Sequence, residues 1–174
     1  MARRVFWLLF ALSLFFVLGG CLRSPERGDT QTARVTEIRK PETGDSASLA
    51  RKDNKPLYNL EYIGAVVDPA GKQPVRVELG NELLVAGWAV DAPSRAMAGG
   101  VEIVIDGTPY TAAYGLPRGD VAEHFKVPAY SNAGFSFRTA ATNFGAGRHQ
   151  IAVRILTNDK RSYYEGLPVA VDIH

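Results

Sequence analysis

From Leu57 to His174 the chain sustains no helical period of useful length; it runs as short β-rich stretches separated by Gly, Pro, Asn and Asp. Val101, Ile103 and Ile105 alternate with Glu102 and Val104 and lead into Asp106-Gly107, a strong signal for a two-residue hairpin turn. Thr108 to Tyr114 is the returning strand. Before this hairpin, Tyr58 to Val67 reads as a first strand stopped by Asp68-Pro69-Ala70-Gly71. Val75, Val77 and Leu79 form a half-buried second strand, and Leu83 to Asp91 a third after Gly80-Asn81. After it, Phe135 to Arg138, the alternating run His149, Ile151, Val153 and Ile155, Tyr163 to Glu165, and Val169 to Ile173 complete the set. Strand signals about every 8–12 residues predict an all-β, antiparallel sandwich of about seven strands. One interruption is expected. Asp120 and Glu123 stand three apart, as in a capping box, and predict a single helical turn.

The N-terminal part is different in kind. Arg3 and Arg4 precede an apolar run from Val5 to Leu18 broken only by Ser13. As a helix it would be about 21 Å long, too short for a hydrocarbon core of about 30 Å. A basic start, a short apolar middle and small residues behind it describe an export signal over residues 1–20. Arg3-Arg4-Val5-Phe6 partly resembles a twin-arginine signal, whereas the short basic region and the Leu/Phe-rich middle favour the general secretory route.

Residues 21–56 then read as a flexible tether. Between Leu22 and Pro56 stand eight Lys/Arg and six Asp/Glu, with Val35, Ile38 and Leu49 the few large apolar residues. Such a segment cannot bury enough surface to offset its ordering entropy, so it is expected to be disordered. Its ends would average roughly 30–35 Å apart as a coil and reach about 120 Å fully stretched. The domain proper is expected over residues 57–174.

Charge and cysteine content exclude several functions. The chain has 20 Lys+Arg against 18 Asp+Glu, a formal +2, which is no footprint for nucleic acid. One Cys excludes an intramolecular disulfide framework and any multi-Cys metal site. His124, His149 and His174 have no ligand spacing, and Asp91, Asp106 and Asp120 make no calcium loop. Gly-x-Ser-x-Gly and phosphate-cradling glycine loops are missing, so no enzyme, no cofactor and no metal site is expected.

Two resemblances narrow the reading. Leu18-Gly19-Gly20-Cys21 resembles the lipobox of bacterial lipoproteins. That resemblance implies cleavage before Cys21, a diacylglycerol on its thiol and a third acyl chain on its new amino group, hence membrane lipid as a partner. Leu22, where Asp would retain the protein in the inner membrane, leans towards the outer membrane. Further on, Gly87-Trp88-Ala89-Val90-Asp91, Val101 to Gly107, Tyr114-Gly115, Arg118 to Ala122, Asn132 to Phe135 and Gly147-Arg148-His149 occur in order. Together they resemble the bacterial immunoglobulin-like domains, found as accessory modules in exported and carbohydrate-related proteins. The likeness covers roughly residues 80–174 and departs at Gly119, where Pro is common. It implies an Ig-like or fibronectin-III-like sandwich and supplies little about function.

The candidate contact residues follow. Trp88, mid-strand between Ala86 and Val90, is expected in the inter-sheet core; as a sugar platform it would have to be exposed. Arg118 and Asp120 read as a local pair and helix cap, or as a ligand site after Tyr114. Tyr110, Tyr114 and Tyr130 are the surface candidates for a partner or glycan; of Tyr163 and Tyr164, alternation allows one in the core. The whole predicts an envelope lipoprotein whose domain is a non-catalytic binding or assembly module for an envelope protein. The alternative is a carbohydrate-binding module for cell-wall or surface glycan.

Overall fold

The structure, a computed structural model, describes residues 40–174. The expected export signal, Cys21 and the first part of the tether lie outside the described residues. In chain order the strands are β1 (Ala50–Arg51), β2 (Leu57–Ile63), β3 (Val66–Val67), β4 (Val75–Val77), β5 (Glu82–Asp91), β6 (Ala96–Met97) and β7 (Gly100–Ile105). They continue as β8 (Thr108–Thr111), β9 (Ala113–Leu116), β10 (Gly134–Ala140), β11 (Gly147–Leu156), β12 (Ser162–Glu165) and β13 (Val169–Ile173). A single α-helix among the described residues, α1 (Gly119–Phe125), separates β9 from β10.

These strands make two sheets. In the first, β8, β7 and β11 are consecutive; β13 and β12 pair with β11, β4 adds beyond β13 and β1 beyond β12. The second runs β3-β2-β5-β10-β9, with β6 beside β5. The alternation seen in the sequence decides which side chains face inward. Val101, Ile103 and Ile105 of β7 stand in register with Ile155, Val153 and Ile151 of β11, and all six are buried against Leu83, Val85, Phe135 and Phe137 of the second sheet. Burying each such side chain contributes about 1.5–3 kcal/mol, so these rows hold the sheets together. An all-β, two-sheet architecture is therefore present. It has more strands than the expected seven because several are two-residue segments, and two pairings, β1 with β12 and β4 with β13, are parallel.

The run Thr108 to Tyr114, expected as one strand, is two. β8 pairs with β7 in the first sheet and β9 with β10 in the second, and the chain crosses between them at the buried Ala112. Trp88 also departs from expectation. Leu83, Val85 and Ala89 take the inner face of β5, so Trp88 projects from the outer face. There α1 covers it, with Phe125 edge-on at 5.5 Å and Val90, Val121, Val127 and Tyr130 alongside.

The largest correction concerns the tether. Residues 42–52 are not free chain but a belt across the first sheet. Gly44 N–H donates to Pro109 and Thr111 N–H to Glu42, which pairs the belt with β8. A 3-10 turn at Ser46–Ser48 crosses the outer face, and β1 joins β12 at the far side. This segment was expected to be disordered because it has so little to bury. It docks by backbone pairing and by polar side chains instead.

Candidate functional site

Arg118 lies at the start of α1 and holds two carboxylates at once. Its Nη1 and Nη2 donate to Glu61 Oε2 and Oε1 at 3.0 and 2.9 Å, and its Nε and Nη2 donate to Asp120 Oδ1 and Oδ2 at 2.9 and 2.7 Å. Such double forks are the strongest arrangement a guanidinium makes. The hydrogen bonds from Arg118 hold Asp120 down at about 2. In turn Asp120 and Glu61 raise the already high value of Arg118, which stays charged. Asp120 is not the helix cap that the sequence predicts. The cap position is Arg118 itself, without a side-chain cap bond, and Asp120 sits inside the first turn.

Glu61 reaches Arg118 because β2 bulges there. The register slips between Leu60 and Tyr62, so Glu61 has no partner on β5. Opposite the bulge stands Gly87, where an added Cβ would run into the carbonyl oxygen of Asn59. The glycine in the Gly87-Trp88-Ala89 motif thus admits the bulge that aims Glu61. A cleft of about 350 Å³ lies beside the cluster, lined by Glu61, Trp88, Arg118, Asp120, His124 and Phe125. With four of five donor hydrogens already engaged, Arg118 works as a strut between α1 and β2 rather than as a receptor for a free anion.

The tyrosines do not gather into a surface platform. Tyr130 is 3% exposed beneath α1. Tyr110 packs between Phe137 and Phe144, at centroid distances of 6.1 and 5.5 Å. Tyr114 ties the sheet together: its hydroxyl donates to the Ala89 carbonyl at 2.8 Å and accepts from the Ala98 amide at 3.0 Å. Burial pushes that hydroxyl up to about 12. Of the later pair, Tyr164 is buried and Tyr163 lies under the Arg154 guanidinium at 4.1 Å. Arg118 and Asp120 are brought together; Tyr110, Tyr114 and Tyr130 join neither them nor one another as a surface.

A second polar cluster escaped sequence reasoning. Glu102 and Arg154, on the outer face of the first sheet, are only 3% and 8% exposed. Ser46 of the belt, 1% exposed, sits between them: Arg154 Nη1 donates to its hydroxyl at 2.8 Å, and the hydroxyl donates to Glu102. Arg154 also donates through Nε and Nη2 to Glu165 Oε2 at 2.9 and 2.6 Å. In sequence, Glu102 and Arg154 are the outward members of alternating strands, a pattern that gives no sign of a covering segment.

His149 stands near the start of β11, its Nδ1 2.7 Å from Asp106 Oδ2 and its Nε2 3.2 Å from the Gly145 carbonyl. Among the described residues no group of three or more His, Cys, Asp or Glu is placed to hold a metal ion. One larger groove remains. It encloses about 690 Å³ along β9 and is lined by Lys40, Glu42, Ala113, Leu116, Ser136 and Arg138, among others. The Ser136 hydroxyl is buried there without a hydrogen-bond partner. No family model, curated protein or solved structure matches the chain.

Proposed function

We propose that this protein is a bacterial envelope lipoprotein, held by acyl chains on Cys21, whose domain is an Ig-like, non-catalytic binding or assembly module for an envelope protein. The observation that carries the binding role is the edge of the second sheet. β9 ends the strand order of that sheet, pairing with β10 alone, and the 690 Å³ groove runs along it. Leu116, 41% exposed, stands at its rim. Exposed edges of this kind accept an extended segment through main-chain hydrogen bonds, with neighbouring side chains setting selectivity. The ionic clusters are internally paired, so they support struts and not reaction centres. Three acyl chains, at about 0.8 kcal/mol per buried CH₂, would anchor far more stably than the marginal, reversible hold of a single chain.

The test is site-specific photocross-linking in intact envelopes, with the reactive group at Ala113 or Leu116, and at exposed Asp159 as the comparison. One discrete protein adduct from the β9 positions, missing from Asp159, supports the module. Adducts to glycan would move the assignment to the carbohydrate-binding alternative. Equal, diffuse labelling from all three positions overturns the binding role at β9. Separately, Cys21→Ser is expected to move the protein from the membrane fraction to the soluble one; unchanged membrane retention removes the anchor.

A further inference from the structure

The belt roofs a cavity on the outer face of the first sheet. Val101, Ile103 and Ile105 of β7 point into the core, so Gly100 and Glu102 belong to the opposite face, under the belt. Gly100 opens β7 and stands in register with Leu156 of β11. An added Cβ there would stand 2.9 Å from Leu156 Cδ1, so the leucine leans across the glycine. With no side chain at Gly99 or Gly100, belt and sheet leave a cavity of about 330 Å³ between them, at the small end of the range for ligand sites. Its lining is graded by burial. Glu102 is buried, Leu49 of the belt and Leu156 are half-buried, and Asp45 and Lys160 are exposed at the rim.

Glu102 gives this cavity its chemistry. Its Oε2 accepts from the Ser46 hydroxyl, and its Oε1 accepts only a long bond of 3.3 Å from the Ser46 amide. No ion pair among the described residues includes it. Arg154, in register with it on β11, gives Nε and Nη2 to Glu165 and meets Glu102 only through the Ser46 hydroxyl. A carboxylate taken out of water is costly unless a cation faces it, and Oε1 has a lone pair to spare. A metal ion does not suit the place: no group of three or more His, Cys, Asp or Glu is gathered among the described residues, and hard cations need several oxygen ligands. One buried carboxylate beside two leucines suits a primary ammonium on a short aliphatic chain, a compact charge with three donors and no acceptor.

We propose that the cavity under the belt binds the primary ammonium of a short aliphatic amine, its charge on Glu102 and its chain between Leu49 and Leu156. Lys160 at the rim opposes it, as a like charge that the entering cation must pass. The proposal does not depend on the binding role of β9.

The test titrates the full-length chain carrying Cys21→Ser with n-butylammonium, n-butanol and butyrate in phosphate buffer, following the amide signals of Gly99 and Gly100 by NMR. The expected result is saturable shifts with n-butylammonium in the millimolar range, several-fold tighter than with n-butanol and missing with butyrate. Glu102→Gln, which keeps an acceptor for Ser46, is expected to lose the preference for the ammonium over the alcohol. Lys160→Met keeps the aliphatic stem against Gly99 and removes the charge, so it is expected to tighten binding several-fold, most at low salt. Lys160 is exposed, so this second variant carries the test should Glu102→Gln fail to fold. Nα-acetyl-lysine amide separates the sources: saturable binding assigns the site to a lysine side chain of a partner, and exclusion assigns it to a free amine. Equal affinity for n-butanol and n-butylammonium overturns the proposal. So does a lack of saturable shifts with the amine, or an affinity that Lys160→Met leaves unchanged.

Discussion

Arg154 donates a hydrogen bond of 2.8 Å to the hydroxyl of Ser46, a residue 108 positions earlier in the chain. The serine hydroxyl in turn donates a hydrogen bond to Glu102, the residue in register with Arg154 on the adjacent strand. A small hydroxyl thus completes a buried ionic arrangement that neither strand could satisfy alone.

Ser46→Ala removes that hydroxyl, and with it a partner of Arg154, and leaves buried Glu102 with only the longer bond from the Ser46 backbone N–H, at 3.3 Å. The expected cost is about 1–3 kcal/mol of stability, the range for a buried group stripped of its partner. Urea unfolding, compared with Ser48→Ala in the same turn, measures it; equal midpoints for the two variants would refute the latch.

Gly87→Ala would push a methyl group into the backbone of β2 at Asn59. Relief requires the Glu61 bulge to move, which disturbs the Arg118 fork as well. A loss of about 1–3 kcal/mol or more is expected. In thermal unfolding, Gly80→Ala, where the added carbon meets nothing within 4 Å, serves as the neutral comparison.

Asp120, at about 2 in the folded chain against an ordinary 3.8, is expected to support acid stability. Its folded-state value is depressed, so the contribution is present above pH 4 and is lost as pH falls through about 2. Asp120→Asn should therefore be slightly less stable than the parent at pH 7 and equal to it at pH 2. Chemical unfolding at the two pH values decides; a gap that persists at pH 2 assigns the effect to something other than charge.

Tyr114 gives the opposite, alkaline, limit. Burial raises its hydroxyl to about 12 from 10.0, so its contribution is intact below pH 10 and disappears as pH rises through 12. Burial also raises Tyr58, Tyr130 and Tyr164, so ultraviolet absorbance titration is expected to show a late-ionising group of tyrosines in the parent that loses one member in Tyr114→Phe. That variant also strands the Ala98 amide and Ala89 carbonyl, and is expected to unfold about 1–3 kcal/mol sooner.

The strands were legible because their signals are local. Val101, Ile103 and Ile105 announce an inward face, and Asp106-Gly107 adopts the two positive φ values, 49° and 84°, that a tight hairpin turn requires. Arg118 and Asp120, two apart, could be paired by inspection. Glu61, 57 positions away, could not, because its aim depends on a bulge that only Gly87 permits. Trp88 was misplaced for a related reason. Alternation reports that one face of β5 is buried by the other sheet but not that α1 buries the opposite one. The belt was the hardest to foresee: hydropathy measures what a segment can bury, and this one is held by its backbone and by Ser46.

The belt also fixes how the domain would meet a mechanical load. Any pull arriving from the N-terminal side reaches Glu42 first and must strip the bonds to Pro109 and Thr111 before it strains Ser46, and Ser46 before β1. These attachments open one after another, like a zip, and release slack before β2 is touched. The 14 residues from Glu42 to Lys55 would supply about 45–50 Å of it. The core strands would stay folded while a taut leash lengthened, and the belt could settle back when the tension eased.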